Sequence, residues 1–253
     1  MSVSTSITKN HSFVTLIALT LAIAFGLGMA TTAYAQPNGL YFAPKIGYSH
    51  MKTDRDAHTY EDGELAWIPP ANGKYSKGAI ALALAVGYDF KPAHDFPLRA
   101  EFEYAWRPKK EMFNKIFEDT EIFKIGAQSF FVNAYFDIHN SSPVTPYVGA
   151  GLGLAIVSFS DRCISTHWNG VVYDDTLSKN KTNFAWNIGA GAAWKITDSV
   201  ALDLGYRYVD FGKAETEITL YDDDNTHNWD VARDVVKAKL STHEVLLGLR
   251  YTF

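Results

Sequence analysis

From residue 40 onward, apolar side chains recur at every second position in eight separate segments. Period two sends alternate side chains to opposite faces of an extended strand, so each segment is a strand with one apolar face. The cleanest is 98–107, where Leu98, Ala100, Phe102, Tyr104 and Trp106 share one face and Arg99, Glu101, Glu103 and Arg107 the other. The other segments lie at about 40–49, 80–90, 122–138, 147–159, 184–196, 200–211 and 245–253. Four charges on one face do not enter an apolar core. The number of strands is even, as single-chain bacterial outer-membrane barrels require.

Which face meets water separates two folds. A soluble sandwich or lipocalin-like barrel turns its apolar faces inward, whereas a membrane barrel turns them out to lipid. The segments are each about 10 residues or longer, which is what a tilted strand needs to cross a bilayer. Aromatic residues gather toward strand ends (Tyr41, Phe42, Tyr48; Tyr104, Trp106; Phe184, Trp186, Trp194; Tyr206, Tyr208; Tyr251, Phe253), as interfacial girdles do. Connections alternate between short ones at about 91–97, 139–144 and 197–199, rich in turn formers, and long polar ones at about 51–77, 108–121, 160–182 and 212–241. The expected fold is all-β: an eight-stranded antiparallel up-and-down transmembrane β-barrel with short periplasmic turns and four long extracellular loops. Mean hydropathy is only -0.11. That value excludes repeated apolar helical spans, and it fits strands whose lipid face and lumen face cancel.

A barrel of eight strands has room inside for its own side chains only. The inward phase of the strands carries Lys45, Asp89, Arg99, Glu101, Glu103, Asp137, Asp203, Arg207, Glu244 and Arg250. These are expected to form an ionic network that plugs the lumen, because each is costly to bury unpaired. The inward glycines of the fifth and sixth strands leave space for Arg99, Arg207, Arg250 or Tyr147 to cross it.

Before the strands, an apolar stretch from Phe13 to Met29 follows Lys9 and His11 and leads to Ala33, Tyr34 and Ala35. That is the pattern of a signal peptide cleaved after Ala35, giving a leader at 1–35 and a barrel domain at 36–253. A bacterial outer membrane is the expected location. The formal charge is -5, from 23 Lys and Arg against 28 Asp and Glu, so there is no basic field for nucleic acid. A lone Cys163 permits neither an intramolecular disulfide nor a cysteine zinc cluster.

Several strand-centred motifs resemble the opacity-type outer-membrane proteins, relatives of the transmembrane domain of outer-membrane protein A. They are Gly87 to Phe90, Asn133 to Asp137, Pro146 to Gly153, Gly205 to Tyr208 and His243 to Phe253. The resemblance covers nearly all of the chain after residue 36. It implies surface exposure, adhesion or immune recognition through variable loops in many members, and no catalytic residues; a monomer without cofactors is expected. Gly248, Tyr251 and Phe253 resemble the C-terminal signal read by the barrel-assembly machinery, with Leu246 standing where a polar residue is common. Expected partners are outer-membrane lipid and lipopolysaccharide, the assembly machinery and periplasmic chaperones, and a host-cell or matrix ligand.

Candidate chemistry elsewhere is thin. The acidic run from Asp222 to Asp230 lacks the glycine and bidentate Glu that EF-hand spacing demands, so it reads as a solvated loop. His139 and Ser141 belong to a turn, and period two puts His243 on the opposite face from Glu244, which leaves Ser241 and His243 without an oriented third group. His50, His58 and Tyr60 are a weak haem motif. Loop aromatics Tyr60, Trp67, Tyr75, Trp168 and Tyr173 are the candidate recognition residues. A small diffusion channel is the alternative reading, and a lipid-modifying enzyme the most remote.

Overall fold

The computed structural model describes residues 39–61, 64–65, 73–116, 119–166, 172–221 and 231–253, with side chains omitted at 55–65, 112–123, 161–179 and 214–238. Eight long strands are arranged in chain order: β1 (Leu40–Glu61), β2 (Gly73–Asp89), β3 (Leu98–Ile116), β4 (Asp119–Asp137), β5 (Val144–Thr166), β6 (Val172–Lys195), β7 (Val200–Tyr221) and β8 (Val231–Thr252). Each pairs antiparallel with its neighbour, and β1 pairs with β8, so the sheet closes on itself. A two-residue segment, Glu64–Leu65, folds back on Tyr60 and Glu61.

The short connections are held by the side chains that sequence marks as turn formers. Between β2 and β3, Asp89 Oδ1 accepts the Lys91 N–H at 2.9 Å. A one-turn helix, α1 (Lys91–His94), follows with Pro in its first turn. Asn140 Oδ1 accepts from the Ser142 N–H at 2.7 Å, and Thr197 Oγ1 from the Val200 N–H at 3.0 Å.

The strands run 17 to 24 residues, about twice what a bilayer needs. The four long connections are therefore built mostly as continuations of the strands, and residues expected in loops, such as 51–61 and 212–221, lie on β1 and β7. On β1 and β8 the hydrophobic alternation changes phase where the membrane part ends. On β1, Ile46 and Tyr48 face outward and are exposed, whereas higher up Met51 faces inward with no exposure while Lys52 and Asp54 face out. On β8, Val245, Leu247 and Leu249 are exposed, whereas above them Leu240 is buried and Lys239 is exposed. Below the swap the barrel is apolar outside, as lipid requires; above it, apolar inside, as water requires. The exposed apolar belt excludes the soluble barrel, for which such a surface would drive aggregation.

The upper part of the barrel is parted along two seams. Pairing of β2 with β3 runs only from Asp89↔Arg99 to Leu82↔Trp106, and that of β6 with β7 only from Lys195↔Ala201 to Trp186↔Asp210. The other interfaces continue far beyond, to Arg55↔Gly73, Glu61↔Ala232 and Thr166↔Val172 for example. Above the belt the molecule is thus two four-stranded sheets, β7-β8-β1-β2 and β3-β4-β5-β6. A β-bulge sits at each parting point, between Arg107 and Lys110 on β3 and between Asp210 and Lys213 on β7. Bulges bend and twist the strand that carries them. Pro108 at the first cannot donate to a ladder, and Gly212 at the second holds φ +77 with its N–H on Asp210 Oδ1 at 2.8 Å.

Candidate functional site

The lumen is filled in two layers. The lower one, at the level of the lipid belt, is ionic. Lys45 Nζ lies 2.6 Å from Glu101 Oε1 and 2.8 Å from Glu103 Oε2. Arg207 donates from Nη1 to Glu103 at 2.6 Å and from Nε to Glu244 at 2.8 Å. Arg107 adds Nε and Nη2 bonds to the same Glu244 carboxylate, at 2.5 and 3.0 Å, and an Nη1 bond to Ser129 Oγ at 3.0 Å. Five strands are tied together by this chain of alternating charge.

A second group lies nearer the periplasmic end. Arg99 holds Asp137 in a bidentate pair at 2.7 and 2.9 Å and packs its guanidinium over the rings of Tyr135 and Tyr147. Asp203 stands 4.0 Å from both Arg99 and Arg250. Tyr41, Tyr135 and Asn133 donate to the Glu101 carboxylate at 3.2, 3.2 and 3.4 Å. The recess that remains, lined in part by Lys45, Tyr147, Asp203 and Arg207, has a volume of ≈ 40 Å³. That is room for a few waters, well below the roughly 300 Å³ at which small-molecule sites begin.

Nine of the ten charges read from the inward phase lie in this layer. Asp89 does not: its carboxylate caps the β2–β3 turn, because strand ends present their side chains to the turn backbone. Arg107, which shares the charged face of 98–107 but is not among those ten, does. Exchanging the one for the other leaves five cations and five carboxylates in the layer. Tyr41 is another difference: it is fully buried in the lumen and not part of a girdle, since its position has the inward phase of Lys45.

The upper layer is apolar and had no counterpart in the sequence reading. Met51, Ile125, Phe131, Val157, Val209, Phe211 and Leu240, with several alanines, form one buried cluster drawn from both extracellular sheets. Tyr75 packs against it from β2, so this recognition candidate is partly buried. The Arg107 guanidinium lies 4.9 Å from the Phe211 ring, where the two layers meet. The signal was the phase swap: Met51 and Leu240 are apolar at inward positions, where Ser49 on β1 and Thr242 and Glu244 on β8 are polar below them.

Tyr60 and Tyr173 fall on β1 and β6 with side chains outside the description, and Trp67, Trp168 and the Asp222–Asp230 run lie outside the described residues. His243 and Glu244 face opposite ways: His243 Nδ1 meets Tyr206 Oη at 2.7 Å on the outer surface, whereas Glu244 is wholly buried inside.

Residues 17–253 match the model of the outer membrane protein β-barrel domain family. The chain belongs to that family. Within the wider set of relatives, it is 29% identical to the outer membrane protein PagN of Salmonella typhimurium, over 97% of this chain and 100% of that one. A Rickettsia typhi protein described as a candidate adhesin is 25% identical over 47% of this chain and 48% of its own. Among solved structures, the outer membrane protein OprG of Pseudomonas aeruginosa superposes with a TM-score of 0.50 at 11% identity, covering 85% of this chain and 98% of that one. Neisserial surface protein A superposes at 0.46 with 19% identity, over 85% of this chain and 97% of the other. This family member is an outer-membrane β-barrel.

Proposed function

We propose that this barrel is a closed scaffold whose function lies in the hairpins it raises above the outer membrane, where they bind a host-cell or matrix ligand. The observation that carries this reading is the double filling of the lumen, a charge-balanced layer below and an apolar layer above. With the interior occupied, the extracellular hairpins are the part of the chain free to recognise a partner. Similarity to a candidate adhesin supports the same reading. No catalytic step is proposed, because His243 and Glu244 stand on opposite faces of the wall.

The same proposal has the leader removed after Ala35 on export, and Gly248, Tyr251 and Phe253 read during assembly. The Phe253 N–H donates to Leu40 O at 2.9 Å, so the chain end lies at the β1–β8 closure. Deleting Phe253 is expected to lower outer-membrane yield. The adhesive reading is tested by exchanging the four hairpin tips one at a time for short turns and measuring binding of intact cells to epithelial cells and matrix proteins. Binding is expected to fall with at least one exchange; a barrel without any of its tips that still binds like the wild type overturns it.

A further inference from the structure

Charge is layered along the barrel axis outside the membrane. In the described stretches that leave the lipid belt (50–54, 73–78, 108–111, 124–128, 156–160, 180–183, 208–213 and 239–243) there are nine lysines against three carboxylates, Asp54, Glu111 and Asp210. Two of those carboxylates are already taken, Glu111 by Lys124 at 2.5 Å and Asp210 by Lys239 at 3.2 Å. Further along the described strands, residues 55–61, 64–65, 112–116, 119–123, 161–166, 172–179, 214–221 and 231–238 carry 11 acidic residues against six basic ones. A basic collar therefore lies beneath an acidic crown, in a chain that is acidic overall.

The collar is concentrated at one place. Lys74 and Lys77 lie on β2 and Lys109 and Lys110 on β3, at the two edges of the parted seam; Lys74 is on the outer face opposite Asp54, whereas Lys77 and Lys110 are in register with inward Met51 and Ile125 but open to solvent at the unpaired edges, and among the described residues none of the four makes an ion pair. Above Leu82 and Trp106 no ladder joins these two edges among the described residues, which leaves backbone N–H groups of both available to an acceptor. The other seam differs, since Asn183 Nδ2 spans it to Phe211 O at 3.1 Å. At the base of the β2–β3 seam, Ile80, Leu82 and Trp106 are exposed on the lipid face. At the periplasmic rim, by contrast, Lys91 and Lys195 are each paired with a neighbouring carboxylate, Asp95 and Asp198.

We propose that the β2–β3 seam is a binding site for the phosphorylated headgroup of outer-leaflet lipopolysaccharide, with Lys74, Lys77, Lys109 and Lys110 on the phosphates and Ile80, Leu82 and Trp106 against the acyl chains. An anionic lipid arrives in the membrane plane, beneath the acidic crown. A soluble polyanion has to approach through that crown, which repels it. The inference rests on the outer-membrane placement and not on the adhesive reading, so the two fail separately.

The test uses the folded full chain in phosphatidylcholine nanodiscs, titrated with lipid A carrying its phosphates, with phosphate-stripped lipid A and with soluble dextran sulfate. Heat-modifiable gel mobility reports folding. Phosphorylated lipid A is expected to bind at least about tenfold more tightly to the wild type than to a K74Q/K77Q/K109Q/K110Q variant, and more weakly as salt rises. The corresponding four Lys→Arg changes are expected to retain binding, and K91Q/K195Q to leave it unchanged. Equal affinity of the wild type for the two lipids overturns the proposal, as does an unchanged affinity in the four-glutamine variant. Dextran sulfate bound as tightly through the same four lysines also overturns it, by assigning the seam to a soluble ligand.

Discussion

Glu244 accepts from two arginines at once, and both guanidinium groups are buried with it. Glu244→Gln keeps the volume and removes the charge that Arg107 and Arg207 share, so it is expected to destabilise the folded barrel by roughly 3–5 kcal/mol. Equilibrium urea unfolding in lipid vesicles, followed by tryptophan fluorescence, measures this. A loss below about 1 kcal/mol means that the pairs are dispensable. Steric fit is testable at Gly205, where an added Cβ would lie 2.8 Å from the Tyr147 hydroxyl and 3.9 Å from its ring. Gly205→Ala is expected to cost about 1–2 kcal/mol in the wild type and much less in a Tyr147→Phe background, with the double-mutant cycle giving the coupling. Most of the charged layer was legible because parity assigns faces: Lys45, Arg99, Glu101, Glu103 and Glu244 share the inward phase by counting alone. Parity does not say where a strand stops facing the lumen, which is why Asp89 is read into the layer although it caps a turn.

The strands show the same limit at larger scale. Their membrane-spanning parts stand out in the sequence because lipid selects an apolar outer face, and the segments read there match the observed strands to within one residue at the periplasmic ends. Their extensions carry the opposite phase, so continuous alternation breaks at the belt edge and residues 51–61 read as loop although they continue β1. Two predictions follow the phase along β8. Leu247→Arg, on the exposed belt, is expected to cost roughly 2–4 kcal/mol, and Ser241→Arg, beside Lys239 above it, about 0–1 kcal/mol. Urea titration of both variants checks the gradient, and equal costs contradict the assigned membrane boundary. Parting of the seams is checked by hydrogen exchange. Above Leu82, amides on the β3-facing edge of β2 are expected to exchange fast, while those paired with β1 between Met51 and Tyr48 stay protected. The seams themselves had no readable cue beyond Pro108 and Gly212, because an edge is a property of two strands and a sequence presents one at a time.

At the scale of the whole molecule, eight strands enclose too little space for a channel unless side chains are small, and here they are large, each charge of the lower layer lying within 4.0 Å of an opposite one. Five cations meet five carboxylates across the lower lumen, and an apolar cluster drawn from both upper sheets covers them. Such a barrel exposes an apolar belt to lipid, and the tasks proposed for its other surfaces are headgroup binding at the basic collar and partner binding at the hairpins. The central claim is that nothing passes through it. Single-channel recording of the folded full chain in planar bilayers tests that most directly. Baseline current without steady unitary steps at either polarity is the predicted result, and reproducible unitary conductance that scales with salt contradicts it.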